Sequence, residues 1–366
     1  MKIQHFESLR PVCPKCRQNT GMEMWPLRIA ARGKQRDGVL VEGRLTCTNP
    51  QCLGEFPVID GIPILVPDVA AYVAAHQGAI TRRTDLLHET MSLIGDCCGP
   101  GSEYDTERQQ LSTYVWSHFG DWDTAVSAGN DSQAGSFLRL MEAAWQLSGP
   151  RPAGPVLDVG CGVGRSAWHL AERCDTCVLG IDLNFSFLRI AQAILERGSV
   201  KVGWRKIGVV YEPREFAVDL PAGDKVDFWC CDALALPFAS QQFSLSNCLN
   251  VLDCVYSPIE LLEELERVLV TDGWLLASSP YDWSAGTTAP ASWIGGHSDR
   301  GELHGAAEPL LRQLLSPGGH SQSLGSLRLR EEAEAIDWTI RVHDRSCVQY
   351  QVHAFAAQKE DPGAEP

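Results

Sequence analysis

Residues 155–184, PVLDVGCGVGRSAWHLAERCDTCVLGIDLN, leave this chain few choices of fold. A short apolar strand, Val156-Leu157-Asp158-Val159, turns through Gly160-Cys161-Gly162-Val163-Gly164; a helix over 165–173 follows, and a second strand, 177–181, ends on Asp182. Glycines let a backbone turn tightly and come close to a ligand, and the new helix presents free N–H groups at that spot. An acid closing the second strand is placed to accept hydrogen bonds from ribose hydroxyls. The stretch therefore predicts a nucleotide-binding βαβ unit.

A dinucleotide fold asks for G-x-G-x-x-G, which would need a small residue at Arg165; here the third glycine is Gly164, and Asp158 precedes the first by two. The run Asp158-x-Gly160-Cys161-Gly162-x-Gly164 resembles motif I of the class I S-adenosylmethionine-dependent methyltransferases. Downstream order agrees. The sequence predicts a helix over 185–196, an extra strand or hairpin over 200–218, and a third core strand over 226–231 that ends at Asp232-Ala233. It further predicts a fourth strand over 243–249 running into Asn250, a helix opened by the capping box Ser257-Pro258-Ile259-Glu260, and a fifth strand over 274–278. Asp232-Ala233 is similar to the adenine-side motif. The resemblance implies an α/β fold with a Rossmann-like seven-stranded sheet, S-adenosyl-L-methionine as cofactor, and a site built from Asp158, Gly160, Cys161, Gly162, Gly164, Asp182, Leu183, Asp232, Ala233 and Asn250.

The N-terminal residues carry a second pattern. Cys13-Pro14-Lys15-Cys16 and, after a long spacer, Cys47-Thr48-Asn49-Pro50-Gln51-Cys52 offer two pairs of thiols. Four thiolates satisfy the tetrahedral preference of Zn²⁺, and a segment this poor in large apolar side chains needs the folding energy a metal supplies. With the phrase EFPVIDGIPIL at 55–65, residues 8–67 resemble the zinc-ribbon family that includes the activating subunit of translation-related methyltransferases. The resemblance implies a fused accessory module, 1–67, with structural zinc on Cys13, Cys16, Cys47 and Cys52, and not the catalyst.

Residues 68–150 read as a helical connector or cap, with helical pieces at 69–75, 84–94, 107–119 and 132–147. Tyr104, Tyr114, Trp116 and His118 fall where they could cap a pocket or pack in the core. Vicinal Cys97-Cys98 and the Cys174-x-x-Cys177 pair read best as buried thiols. The methyltransferase domain spans 151–360. A Gly/Ser/Pro-rich insertion, 285–326, reads as a mobile lid with His297, His304 and His320 facing solvent, and 361–366 as a polar disordered tail.

Acceptor selectivity is expected after the fourth and fifth strands. Ser279-Pro280-Tyr281-Asp282-Trp283 and Trp293-Ile294-Gly295-Gly296, with Asn250-Val251-Leu252-Asp253, resemble the C-terminal mercaptohistidine N-methyltransferase domain of ovothiol synthases over 155–359. Asp282 and Gly162 depart from that group's usual residues, and a zinc ribbon stands in place of its sulfoxide-synthase domain. The resemblance implies an imidazole nitrogen as acceptor, with Asn250, Asp253, Tyr281 and Asp282 as catalytic candidates and Trp283 or Trp293 as an aromatic wall. The cysteines near the site raise an arsenite-methyltransferase alternative, which strand positions of several of them weaken.

Charge and leader sequence limit the partners. A net charge of −15 over 366 residues argues against a general nucleic-acid or anionic-membrane footprint, apart from a local basic stretch at 28–44. The longest apolar run, 62–75, is broken by Pro63, Pro67 and Asp68 and is too short to span a bilayer. The first twelve residues show no signal peptide, so the fourteen cysteines read as reduced thiols in the cytoplasm. The leading expectation is a small-molecule N-methyltransferase. The competing ones are an RNA or protein methyltransferase that uses the ribbon, and a cofactor-binding regulatory module without turnover. Oligomeric state is not legible.

Overall fold

The computed structural model describes residues 1–20, 24–128, 133–149 and 153–361. The predicted tail beyond 361 and Ser132, where the sequence reading starts a helix, lie outside the described residues.

Fourteen strands follow in chain order: β1 Leu27–Ile29, β2 Lys34–Arg36, β3 Val39–Cys47, β4 Glu55–Ile59, β5 Ile62–Leu65, β6 Val156–Val159, β7 Val178–Asp182, β8 Ser199–Ile207, β9 Val210–Ala217, β10 Val226–Cys231, β11 Phe243–Leu249, β12 Leu269–Ser279, β13 Leu327–His343 and β14 Ser346–Lys359. Seven of them stand in the order β10-β7-β6-β11-β12-β14-β13. The first five of these are mutually parallel, and β14 runs antiparallel between β12 and β13. Parallel strands covered by helices on both faces are buried on both faces and mostly apolar. Every residue of β6 (VLDV) and β10 (VDFWCC) is accordingly buried. The hairpin expected over 200–218 is β8-β9, paired only with itself.

The sheet is larger than the seven strands expected. Among the described residues it has twelve, because β5 pairs in parallel with β10 through Cys230↔Ile64 and Cys231↔Leu65 and brings β4, β3, β1 and β2 with it. The N-terminal residues also have a core of their own making. Phe6, Leu9, Leu40, Leu45, Phe56 and Val58 are buried in one apolar cluster with Leu157 and Trp229 of the central strands and Phe238 of the loop after β10. The expectation that metal alone holds this segment together is thus corrected. Nor is it all β: helices Ile3–Leu9 and Pro14–Thr20 precede the strands, and Cys16 sits on the second.

Two further expectations change. Helix Ala307–Leu314 buries Ala307, Leu311 and Leu314, and Ile294, Leu315 and Leu324 join the same cluster, so much of 285–326 is anchored and not a free lid. Cys97 and Cys98 are exposed at the end of helix His88–Cys98, whereas Cys174 is buried and Cys177 half-buried. Among the described residues no helix is long and apolar enough to cross a membrane.

Candidate active site

Chain order makes the site. From β6 the chain moves outward through β7 to β10, then jumps back to place β11 on the other side of β6. Ligands bind at the carboxyl ends of strands where order reverses in this way. The glycine turn that leaves β6 and Asn250, which leaves β11, meet there around a cavity of about 470 Å³.

Seven of the predicted cofactor residues line it: Gly160, Gly162, Asp182, Leu183, Asp232, Ala233 and Asn250. Gly160 has φ +67°, and a Cβ on it would run into the Val251 side chain. Gly162 has φ +55°, and the space beside it is bounded by the His118 ring. Its N–H donates to Asp182 Oδ2 at 2.9 Å, while Asp182 Oδ1 accepts from Asn184 N at 2.8 Å. Burial pushes the Asp182 carboxyl above its ordinary range, and the N–H groups of Asn184 and Gly162 pull it back. Asn184 in turn caps helix Phe185–Arg197, accepting from Ser186 N and Phe187 N at 3.0 and 3.3 Å; such a cap is worth about 1 kcal/mol. The connector helps as well. Tyr72, on helix Val69–Ala75, donates its hydroxyl to Leu183 O at 2.6 Å and so fixes the end of β7.

The other predicted cofactor residues lie beneath the cavity. Cys161 is buried under the turn and Gly164 packs against Phe228 and Trp168. Asp158 is sealed in, accepting from Ser166 Oγ at 2.5 Å and from Asn247 Nδ2 at 2.7 Å, and burial raises its pKa to about 7. It shapes the loop from below. A carboxyl whose folded pKa lies above its unfolded value holds more protons folded than unfolded between the two, so stability falls as pH rises through that window. In wild type the loss between pH 4 and pH 7 attributable to Asp158 is roughly 4 kcal/mol at most. Asp158→Asn keeps both partners and removes the charge. Urea midpoints at pH 5 and pH 8 are expected to differ less in the variant than in wild type, and an equal difference in both would refute the assignment.

The four catalytic candidates separate. Asn250 (φ +56°) reaches the cavity; its Oδ1 accepts from Ser278 Oγ at 2.8 Å, and its buried Nδ2 has no partner among the described residues. Asp253, Tyr281 and Asp282 lie outside the lining: Asp253 is buried, Tyr281 half-buried and Asp282 exposed. Asp253 Oδ2 accepts from Asp282 N at 2.9 Å, Asp282 Oδ2 accepts from Tyr350 OH at 3.1 Å, and Tyr281 OH meets His353 Nδ1 at 2.8 Å. Burial raises the Asp253 carboxyl. The Trp283 and Trp293 rings stack at 6.1 Å, and neither lines the cavity.

What does line that end was only partly legible. Tyr114 and His118, spaced i, i+4 on helix Glu103–Phe119, face in, while Trp116 turns to the core and Tyr104 to a different cavity. Phe187 packs on Tyr114 at 4.6 Å, His118 stacks on Phe137 at 4.1 Å, and Trp338 from β13 stacks on Tyr350 at 5.2 Å. Full burial, with Arg165 nearby, drives His118 down to a pKa of about 3, and its Nδ1 has no partner among the described residues. Arg165 holds it in place, donating to His118 O at 3.3 Å while pairing with Asp121 at 3.1 Å.

Residues 157–277 match the family model described as a methyltransferase domain. The chain carries a class I methyltransferase domain. Its relatives include the methyltransferase GfsG of Streptomyces halstedii, 24% identical over 48% of this chain and 55% of that protein. Ajmaline N-methyltransferase of Rauvolfia serpentina is 23% identical over 44% of this chain and 50% of its own length. The O-methyltransferase cnsE of Penicillium expansum is 25% identical over 50% and 57%. The chain thus spans about half the length of the curated relatives it matches. The methyltransferase domain's glycine cradle, its terminal acids and the orphaned Asn250 amide suit an adenosyl cofactor.

The four N-terminal thiols form a second centre. Their sulfurs all lie within 4.8 Å of one another, with Cys13···Cys52 at 3.8 Å and Cys16···Cys47 at 3.7 Å. Four zinc–sulfur bonds of about 2.3 Å at tetrahedral angles put the sulfurs roughly 3.8 Å apart. Asn49 donates its N–H to Cys47 Sγ at 3.3 Å and its amide to Cys16 Sγ at 3.5 Å, as second partners of metal thiolates do. The C-x4-C spacing of the second pair therefore costs no ligand.

Proposed function

We propose that this chain transfers the methyl group of S-adenosylmethionine to a small molecule, and that the acceptor atom is an imidazole-type nitrogen of a histidine derivative. The observation that carries the reading is one cavity with two unlike kinds of wall. A nucleoside cradle of Gly160, Gly162, Asp182 and Asp232 shares it with the uncharged rings of Tyr114, His118, Phe187 and Trp338. When bound, the cofactor supplies an activated methyl group on a sulfonium.

The chain's residues supply position and field. Aromatic faces favour a cation, and a buried neutral His118 adds no competing charge. With a pKa of about 3, His118 is the neutral imidazole near neutrality, with one ring N–H and no charge. An acceptor that brings its own lone pair suits such a site. An imidazole, with a pKa of about 6.5, is largely neutral at pH 7 and needs orientation more than a strong base. Asn250 Nδ2 is a donor placed to hold the acceptor by an oxygen such as its carboxylate, which leaves the ring lone pair free for the methyl group. Asn250→Ala is expected to lower kcat about 100-fold, the lower end of the loss for one buried oriented donor; an unchanged kcat removes Asn250 from the reaction.

The deciding assay incubates zinc-loaded protein with tritiated S-adenosylmethionine and, separately, histidine derivatives, a cell small-molecule extract, bulk RNA and bulk protein. Label in an extractable small product supports the proposal, and mass spectrometry then fixes the methylated atom. Label confined to RNA or protein replaces it with the macromolecular reading. Structural zinc on Cys13, Cys16, Cys47 and Cys52 and a cytoplasmic, reducing setting belong to the same proposal, supported by the sulfur spacing.

A further inference from the structure

A second cavity, about 630 Å³, lies between helices His88–Cys98, Glu103–Phe119 and Phe185–Arg197 and the β8-β9 hairpin. It lies within the roughly 300–1,000 Å³ of small-molecule sites. It borrows Leu111 and Ile190 from the helices whose Tyr114 and Phe187 line the methyl-transfer cavity, but the two linings have no residue in common. Its walls are apolar, with Met91, Ile94, Leu111, Ile190 and Val202, and Leu87, 73% exposed, stands at the mouth.

The charge around it runs against the rest of the molecule. In a chain of net −15, this cavity is rimmed by cations. Arg82 pairs with Glu107, Arg83 with Asp85, Arg189 with Asp60, and Arg214 with Glu212. Arg108, Arg197 and Lys201 have no ion pair or side-chain hydrogen bond among the described residues, and Glu215 is the other carboxylate of the lining. Arg108 is held ready. Its guanidinium lies 3.9 Å over the Tyr211 ring and 5.5 Å from that of Tyr104. The backbone makes room for it at Gly95, where a Cβ would strike the guanidinium, and Gly203 leaves space for Tyr211. A preset, half-buried cation beside an apolar wall is what an anionic head with an apolar body requires.

We propose that this cavity is a second ligand site, distinct from the methyl-transfer cavity, for an amphipathic carboxylate: the chain lies along Ile190, Ile194 and Met91, and the head meets Arg108, Arg197 and Lys201. The probe is dodecanoate below its micelle-forming concentration, titrated calorimetrically into the full chain. Dodecan-1-ol supplies the same tail without the charge. Dodecanoate is expected to saturate one site, at least tenfold more tightly than the alcohol, and with saturating S-adenosylhomocysteine present. The double variant Arg197→Ala/Lys201→Ala, changed only at exposed side chains, is expected to lose about tenfold for dodecanoate and nothing for the alcohol. Ala193→Trp, which fills the cavity, should block both ligands while S-adenosylhomocysteine still binds. No saturable binding, equal affinity for acid and alcohol, indifference to both sets of substitutions, or displacement by S-adenosylhomocysteine would each overturn the proposal.

Discussion

Asp182→Ala is expected to weaken S-adenosylhomocysteine binding about 100-fold while leaving the melting temperature within a few degrees of wild type. The carboxylate does two things at once. It ties the glycine turn to the end of β7 through Gly162 N and Asn184 N, and it offers its remaining lone pairs to the cavity. Hydrogen bonds to a charged group contribute about 1.5–3 kcal/mol each, and losing a ribose partner together with the tether gives the expected two orders of magnitude. Asp182→Asn keeps an acceptor for one N–H but loses the charge, so an intermediate loss of about tenfold should result. Calorimetric titration reads both. Wild-type affinity in the alanine variant would place the cofactor elsewhere.

Stripping the four-thiol centre should cost more than stability. Chelation, or Cys13→Ser, is expected to lower stability by more than about 4 kcal/mol, the scale reached when a structural metal is lost, and to lower the melting temperature by roughly 10 °C. The centre also connects to the Asp232 side of the cavity. Arg17, on the helix that carries Cys16, makes two hydrogen bonds to Glu264, at 3.1 and 2.8 Å, and Glu264 Oε2 accepts from Leu236 N at 3.0 Å. Leu236 follows the Asp232–Leu234 lining directly, and Val12 N bonds Pro237 O at 2.9 Å in the same loop. Arg17→Ala should therefore bind one equivalent of zinc yet hold S-adenosylhomocysteine about 3- to 10-fold less tightly. Unchanged affinity in a zinc-loaded Arg17→Ala protein would confine the centre to a purely structural part.

Local chemistry explains which parts of this architecture could be read ahead of the coordinates. Between 156 and 249, strand and helix limits are dictated by neighbours in sequence: mostly apolar strands, a glycine turn, an acid at the strand end. The observed helix Arg165–Arg173 and strands β6, β10 and β11 fall where those signals put them. The β5–β10 pairing depends on two segments more than 160 residues apart, and no local signal in IPIL names its partner. The site divides the same way. Seven of the ten motif residues line the cavity, whereas Asp253, on the turn after β11, and Tyr281 and Asp282, after β12, lie outside its lining, with Tyr281 at φ +54°. Trp338 was missed because it comes from the long penultimate strand β13, whose inward face depends on helix Glu103–Phe119, where its indole donates to Ser117 Oγ at 2.9 Å.

The seam between β5 and β10 also has a bearing on solubility. β10 is buried along its whole length, Val-Asp-Phe-Trp-Cys-Cys, and without β5 it would be the outermost strand on its side. A bare strand of that composition offers unpaired N–H and C=O groups beside large apolar side chains, which is the template on which other chains add. The N-terminal strands shut that template by pairing with it and then ending on β1 and the short, wholly exposed β2. A fragment starting near residue 68 would keep every residue of the methyl-transfer cavity and still be expected to self-associate through β10 before it could act on anything.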